Sequence, residues 1–186
     1  TPGTGMGENG DGSVSRAGAG FLRAYSGAKP FFLTLGFLQP HDICHWIMRH
    51  YHDIGQLPCP EIAGELPPLP PNHAADPAEP EFVGLCRRRD HYGHEQLWTR
   101  EWPERRWREY LWAYYRLVEQ ADAAIGRVLN ALAETGLDRN TLVLFTSDHG
   151  EGLAAHRWVV KLMLWEEIVK VPFLVSWPGR VPAGRV

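Results

Sequence analysis

Asp148 and His149 set a hard carboxylate beside an imidazole in the run Ser147-Asp148-His149-Gly150, a donor pair suited to a divalent cation. Gly150 lets the backbone turn sharply enough for both side chains to converge on one ion. The same residues also fit a plainer role, an Asp capping the next helix with a His beside it. Downstream, His156 and Lys161 add a second imidazole and an ammonium. They could hold an anionic group next to a metal, although single residues of either type also sit on solvated surfaces. Upstream, Gln39-Pro40-His41-Asp42 closes an apolar run, so His41 is expected at the same sheet edge as Asp148, with all five residues around one cleft. His41, Asp42 and His45 could imitate a metal cluster on a helix, but no further ligand stands at matching spacing and the non-metal reading is preferred. His91 and His94 read as polar loop residues.

Such a site needs strands to carry it. Phe31 to Leu38, Thr141 to Thr146 and Phe173 to Trp177 are short apolar runs of strand length, the mark of strands covered on both faces. Trp107, Leu111, Tyr114, Val118, Ala121, Ile125, Val128 and Leu132 step by three or four, which predicts one helix over Glu104 to Glu134 with Gly136 as its stop. Strand, long helix, strand reads as a crossover, so the three runs are expected to be adjacent and mainly parallel. Val14 to Tyr25 predicts a short helix ended by Gly27, after a flexible glycine-rich lead-in over Thr1 to Ser13. The proline-rich stretch from Gln39 to Arg100 keeps no regular period and is expected to wrap a site. Its run Pro67-Pro68-Leu69-Pro70-Pro71 is either packed on its own domain or an SH3-type ligand. Trp98, Trp102, Trp107 and Trp112 are either core residues or the lining of a sugar subsite.

Composition removes whole classes of function. A chain of 186 residues buries roughly 70% of its unfolded surface, enough for a true core. Its longest apolar run, Phe31 to Leu38, is far too short to span a bilayer. Lys+Arg 19 against Asp+Glu 22 gives a net charge of −3, without the positive stripe that nucleic acid requires. Cys44, Cys59 and Cys86 form no CxxC pair, so they encode neither a zinc ribbon nor a disulfide framework, and they leave the redox compartment open. No secretion signal follows Thr1, which suggests a removed leader or a missing N-terminal portion. No motif sets an oligomeric state.

An ordered set of motifs runs along the chain. Lys29-Pro30-Phe31-Phe32-Leu33 leads to Pro40-His41. Ser147-Asp148-His149-Gly150-Glu151-Gly152-Leu153-Ala154-Ala155-His156 is followed by Lys161, then Trp165-Glu166-Glu167, Val171-Pro172-Phe173 and Trp177-Pro178-Gly179. Together they resemble the later part of the catalytic domain of the type I sulfatases, in the alkaline phosphatase superfamily. The resemblance implies an α/β fold, a mainly parallel sheet flanked by helices, as an incomplete domain. Residues 1–28 would be a lead-in loop and short helix, and 29–186 the C-terminal portion of the domain. It implies a sulfuric ester hydrolase acting on a sulfated small molecule or carbohydrate, in a periplasmic or secreted setting. Asp148 and His149 would ligate Ca²⁺, with Mg²⁺ or another divalent ion as alternatives. Lys161, His41 and His156 would contact the sulfate or the leaving oxygen.

The family's nucleophile is a formylglycine made within a Cys/Ser-x-Pro-x-Arg motif, and an Asp-Asp pair supplies further metal ligands. This sequence has no Asp-Asp pair, and none of its three cysteines has the motif. Ser176-Trp177-Pro178-Gly179-Arg180 fits the bare pattern, but a turn after a strand accounts for it. The nucleophile is therefore expected in a missing N-terminal portion, and this chain alone should hydrolyse sulfate esters at no measurable rate. Two other readings stay open: a phosphoryl or phosphonate ester hydrolase of the same superfamily, and a catalytically inactive module that binds an anion or carbohydrate.

Overall fold

The computed structural model describes residues 6–50, 62, 64–88 and 99–184; Cys59, His91, His94 and Trp98 lie outside them. Helix α1, Met6–Ala24, starts well before Val14, so the expected flexible lead-in is helical from residue 6. Its buried stripe of Gly7, Asp11, Ser15, Gly18, Ala19 and Leu22 steps at helical spacing with little apolar bulk, which is why apolar periodicity alone misses it.

Two short helices follow, α2 at Ile43–His50 and α3 at Glu81–Arg88. The long helix α4, Glu104–Glu134, has the expected bounds, and Gly136 adopts φ 69° just past its end. Ala19 and Leu22 of α1 pack on Ala131 and Leu132 of α4, with Phe31 and Leu33 against them. At its other end α4 enters the main core, where Trp107, Tyr110, Leu111 and Leu117 meet Ile43, Trp46, Ile47 and Trp102. Trp46 and Trp102 sit edge to face at 5.9 Å, and Trp102 and Trp107 at 5.3 Å. Trp102 and Trp107 are thus core residues, and Trp112 packs half-buried against them. Leu69 packs on the same core, and Arg108 of α4 donates to the carbonyls of Leu66 and Pro67 at 2.7 and 2.9 Å. The proline-rich run therefore lies on its own domain.

The strands differ from expectation in direction and number. Among the described residues the sheet has two strands, β1 (Val143–Thr146) and β2 (Phe173–Ser176). They are antiparallel, with Val143 opposite Ser176 and Thr146 opposite Phe173, not parallel. Nor are they covered on both faces as expected, since Leu144 is 58% and Phe173 66% exposed; an apolar run by itself fixes neither coverage nor direction. The connection fixes the direction, and the stretch between β1 and β2 doubles back through loops and a single-turn helix, α5 (Glu166–Val169), so the chain returns alongside itself. Phe31 to Leu38 is extended but outside any ladder. Phe31, Leu33, Leu35 and Phe37 are half-buried, while Phe32, at 94% exposure, faces away. The segment therefore lies on the helices as a half-covered strip.

No helix of the described residues is long and apolar enough to cross a membrane.

Candidate active site

The turn after β1 carries Ser147, Asp148 and His149. Ser147 Oγ donates to the His149 carbonyl at 2.9 Å, and the His149 backbone N–H donates to Asp148 Oδ1 at 3.0 Å. These bonds close a tight turn that leaves the Asp148 side chain 85% exposed. Its slight burial acts to raise the carboxyl, but the His149 imidazole and nearby N–H groups outweigh it and hold Asp148 below the usual carboxylate range. His149 Nδ1 lies 2.7 Å from the Gly150 carbonyl. A carbonyl only accepts, so Nδ1 carries a hydrogen, and in the neutral ring Nε2 holds the lone pair. Nε2 is 3.2 Å from Lys161 Nζ and 3.6 Å from Asp148 Oδ2. Asp148, His149 and Lys161, chosen from sequence, therefore do meet.

Backbone approach explains the glycines between them. The Gly150 N–H donates to the Ile168 carbonyl at 2.7 Å and the Glu151 N–H to that of Glu167 at 3.2 Å, which lays the loop against α5. A Cβ on Gly150 would lie 2.0 Å from Glu167 O, and one on Gly152 would lie 2.6 Å from Trp158 O. From there to Lys161 the chain is wound unusually. Leu153, Ala154, His156, Arg157 and Val160 all have φ between 49° and 63°, a region costly for non-glycine residues and most of all for β-branched Val160.

Hydrogen bonds hold this loop from several sides. His73 Nδ1 donates to the Ala154 carbonyl at 2.6 Å, and the His156 N–H donates to the Asn72 carbonyl at 2.7 Å. Arg87 reaches the carbonyls of His156 and Arg157 at 2.7 and 3.3 Å while paired with both carboxylate oxygens of Glu79 at 2.9 Å. Asn72 and His73 come from the proline-rich stretch, which therefore contributes directly to this loop. The His156 ring stacks on Trp165 at 4.5 Å. Its Nε2 is 3.4 Å from Asn72 Nδ2 and 3.9 Å from Glu167 Oε2, and Asn72 also donates to Glu167 Oε1 at 2.7 Å. Burial opposes ionisation of Glu167, but its N–H, Asn72 and His156 together lower its carboxyl. His156 thus belongs to a second group, joined to the first through the backbone of residues 150–151 and 167–168.

His41 stands apart. Its Nδ1 is 3.9 Å from Cys44 Sγ within its own turn, and among the described residues no hydrogen bond or ring contact links it to Asp148, His149, His156 or Lys161. Asp42 beside it is committed to α1: its Oδ2 accepts from the backbone of Gly7 and Glu8 at 2.9 and 3.1 Å and from Gln39 Nε2 at 2.8 Å. In return Asp11 of α1 accepts from the N–H groups of Leu38 and Gln39 at 2.8 and 2.9 Å.

Glu151 was not singled out from sequence, although it lies two residues after His149. It is buried, and its Oε1 accepts from the Tyr110 hydroxyl of α4 at 2.6 Å and from the Val160 N–H. Burial pushes its carboxyl up to about 7 in spite of these donors. Burial and the neighbouring Glu151 carboxylate likewise raise the Tyr110 hydroxyl well above the ordinary phenol, so it remains a donor.

Comparison with known proteins decides the family: a profile described as Sulfatase matches residues 7–186. The chain belongs to the sulfatase family. It is 31% identical over 157 residues to a Delta 4,5-hexuronate-2-O-sulfatase of Bacteroides thetaiotaomicron, covering 81% of this chain and 31% of that protein. To the iduronate 2-sulfatase of Mus musculus it is 32% identical over 158 residues, covering 82% of this chain and 27% of the relative. The solved structure of a 2-O GAG sulfatase superposes with a TM-score of 0.78 at 28% identity, over 91% of this chain and 35% of that one. The fold is therefore the α/β fold of the sulfatases, and the chain spans about a third of the length of these relatives.

As ligands for a cation, Asp148 and His149 fit in part. Asp148 Oδ2 and His149 Nε2 are 3.6 Å apart, close enough for both to contact one ion. They supply two donors where Ca²⁺ takes six to eight. Among the described residues no group of three or more His, Cys, Asp or Glu could hold a metal.

Proposed function

We propose that this chain carries part of the catalytic domain of a sulfatase that hydrolyses a sulfate ester, with a sulfated carbohydrate as substrate. The observation that carries this reading is the contact of Lys161 Nζ with His149 Nε2, 3.2 Å apart beside Asp148 at the end of β1, in a sulfatase-family chain. Its relatives named for hexuronate and iduronate 2-O-sulfates favour a sulfated uronic acid among the carbohydrates.

Asp148 and His149 would hold a divalent cation, Ca²⁺ or Mg²⁺, with the other donors coming from outside the described residues; the cation would take the Nε2 lone pair that Lys161 otherwise meets. When bound, the cation would supply positive charge for the sulfuryl oxygens. Lys161 would neutralise a further sulfuryl oxygen as charge develops there. His156, stacked on Trp165 and next to Glu167, would serve as proton donor to the departing alkoxide. His41 would join through contact with the bound substrate. A periplasmic or secreted setting belongs to the same reading.

The formylglycine nucleophile does not fit any residue here. Ser176 ends β2 beside Val143, three ladder pairs and so roughly 10 Å from the Thr146 end where Ser147 begins. Trp177 to Arg180 forms a turn, with the Arg180 N–H donating to the Trp177 carbonyl at 3.0 Å and its guanidinium over the Trp177 ring. No step is assigned to Ser176, and the chain by itself is expected to show no turnover.

Two measurements test the reading. Calorimetric titration of Ca²⁺ into the chain should give weak binding that Asp148→Ala abolishes; binding that survives the substitution would remove Asp148 from the metal. The full-length protein should cleave a 2-O-sulfated uronic acid disaccharide far faster than the matching phosphate ester. The reverse preference would favour the phosphoryl reading.

A further inference from the structure

We infer that Glu151 is a positioning residue: its buried carboxylate, held by Tyr110 of α4, fixes the backbone at Val160 so that Lys161 reaches His149. The inference rests on the assignment of Lys161 and His149 to the site, and it concerns how their contact is made.

Val160 has φ 57°, a conformation that a β-branched residue holds only when its surroundings over-determine it. Two hydrogen bonds supply that constraint. The Val160 N–H donates to Glu151 Oε1, and the Val160 carbonyl accepts from the Gly152 N–H at 2.9 Å. Both partners lie on the strip that leaves His149, so one backbone and one side-chain hydrogen bond bind the two ends of the 149–161 loop. Glu151 is fixed in turn: its N–H is bonded to the Glu167 carbonyl at 3.2 Å, and its carboxylate accepts from the Tyr110 hydroxyl at 2.6 Å. Tyr110 is fully buried in the aromatic core. A rigid helix thus orients a carboxylate, the carboxylate orients Val160, and the next residue delivers its ammonium to His149 Nε2 at 3.2 Å. Glu151 interacts with His149 electrostatically, but its carboxylate hydrogen bonds go to Tyr110 and the Val160 N–H, so its hold on Lys161 runs through the backbone.

The experiment follows the ring ¹⁵N resonances of His149 in the chain itself, at fixed pH and without added metal. Lys161→Ala should move the Nε2 resonance by removing the donor on its lone pair. Glu151→Ala should move it in the same direction and by a similar amount, and adding Lys161→Ala to Glu151→Ala should move it little further. Glu151→Gln, which keeps an oxygen acceptor for Val160, should return most of the shift. Tyr110→Phe, which loosens Glu151 from α4, should move it part of the way and serves if the Ala variant unfolds. The amide spectrum of α4 reports whether the fold is kept.

A His149 resonance that stays at its parental position in Glu151→Ala, while Lys161→Ala moves it, would overturn the inference. So would a resonance that Lys161→Ala leaves in place, since there would be no contact to position. Neither result depends on turnover. Loss of sulfatase activity as the correct reading would leave this test standing, and a failed positioning role would leave the activity assays unchanged.

Discussion

The two ends of the molecule reach rigidity by opposite means. Around the first half of α4, Trp46, Trp102, Trp107 and Tyr110 are buried in mutual edge-to-face contact, and shape decides their positions. In the loop from Gly150 to Lys161 the chain follows left-handed conformations and is held by hydrogen bonds from Glu151, Asn72, His73 and Arg87. The first region tolerates exchange among apolar residues of like volume. The second depends on single polar atoms, each of which costs heavily if its partner is lost. The proposed catalytic groups sit on the second kind of structure, because packing alone does not force a backbone into costly conformations.

Substitutions can test that contrast, beginning with the largest expected effect. Trp107→Ala should cost about 3–5 kcal/mol of unfolding free energy by urea denaturation, as for other buried aromatics. A cost under about 1 kcal/mol would mean that the aromatic cluster is not the mechanical centre of the fold.

Glu151 sets the next effect. Its carboxyl ordinarily titrates at 4.5 and is raised to about 7 in the fold, so the folded chain binds more protons than the unfolded one between those values. Stability is then fully present below about pH 4.5 and falls as pH rises towards 7, by about 3 kcal/mol in total at 1.36 kcal/mol per unit. Urea curves from pH 4.5 to 8 in the presence of a chelator should show this slope, and Glu151→Gln should flatten it. An equal slope in the Gln variant would place the titrating group elsewhere.

Lys161→Ala in the full-length protein should lower turnover about a hundredfold, comparable to removal of other electrostatic donors, while unfolding stays within about 0.5 kcal/mol of the parent. Lys161→Arg should not restore turnover, since a planar fork does not replace a compact ammonium against His149. Near-parental rates in the Ala variant would show that Lys161 has no part in the chemistry.

Asp11→Ala should cost about 1–2 kcal/mol, the usual scale for a carboxylate that satisfies two backbone N–H groups, here those of Leu38 and Gln39. The smallest effect belongs to Arg23–Glu134, a pair at 2.7 Å with both side chains more than half exposed. Glu134→Ala should move stability by no more than about 0.5 kcal/mol and less in high salt.

What could be read from the residues divides along the same line. The span of α4 and its stop at Gly136 were legible because an amphipathic helix repeats its apolar residues many times, and each repeat supports the others. Asp148, His149 and Lys161 were legible through residue type and order, and the structure brings them together. Strand direction was not, because apolar runs are silent about it and the connection between β1 and β2 has no strong period. Glu151, Tyr110, Asn72 and Arg87 were missed for a different reason. Each is an ordinary residue whose importance comes from one partner far away in the chain: Glu151 is 41 positions from Tyr110, and Arg87 is 69 from His156. The later part of helix α1, from Val14, was legible, but its first turns escaped because their buried positions are Gly7 and Asp11 rather than large apolar side chains.

The exchange of carboxylates between α1 and the turn before α2 makes chain length itself a constraint. Asp42 receives the N–H groups at the start of the helix, and Asp11, one turn further on, receives those of residues 38 and 39. Both sets of bonds are met only if Asp11 lies four positions after Gly7, with three residues between them. Inserting or deleting one residue between them would swing Asp11 about 100° around the helix axis, away from the backbone it serves. Point substitutions at Glu8, Asn9 or Gly10 leave that count unchanged. Natural variation in this stretch should therefore take the form of exchanged letters and not of gaps, a rule that a collection of related sequences could contradict at a glance.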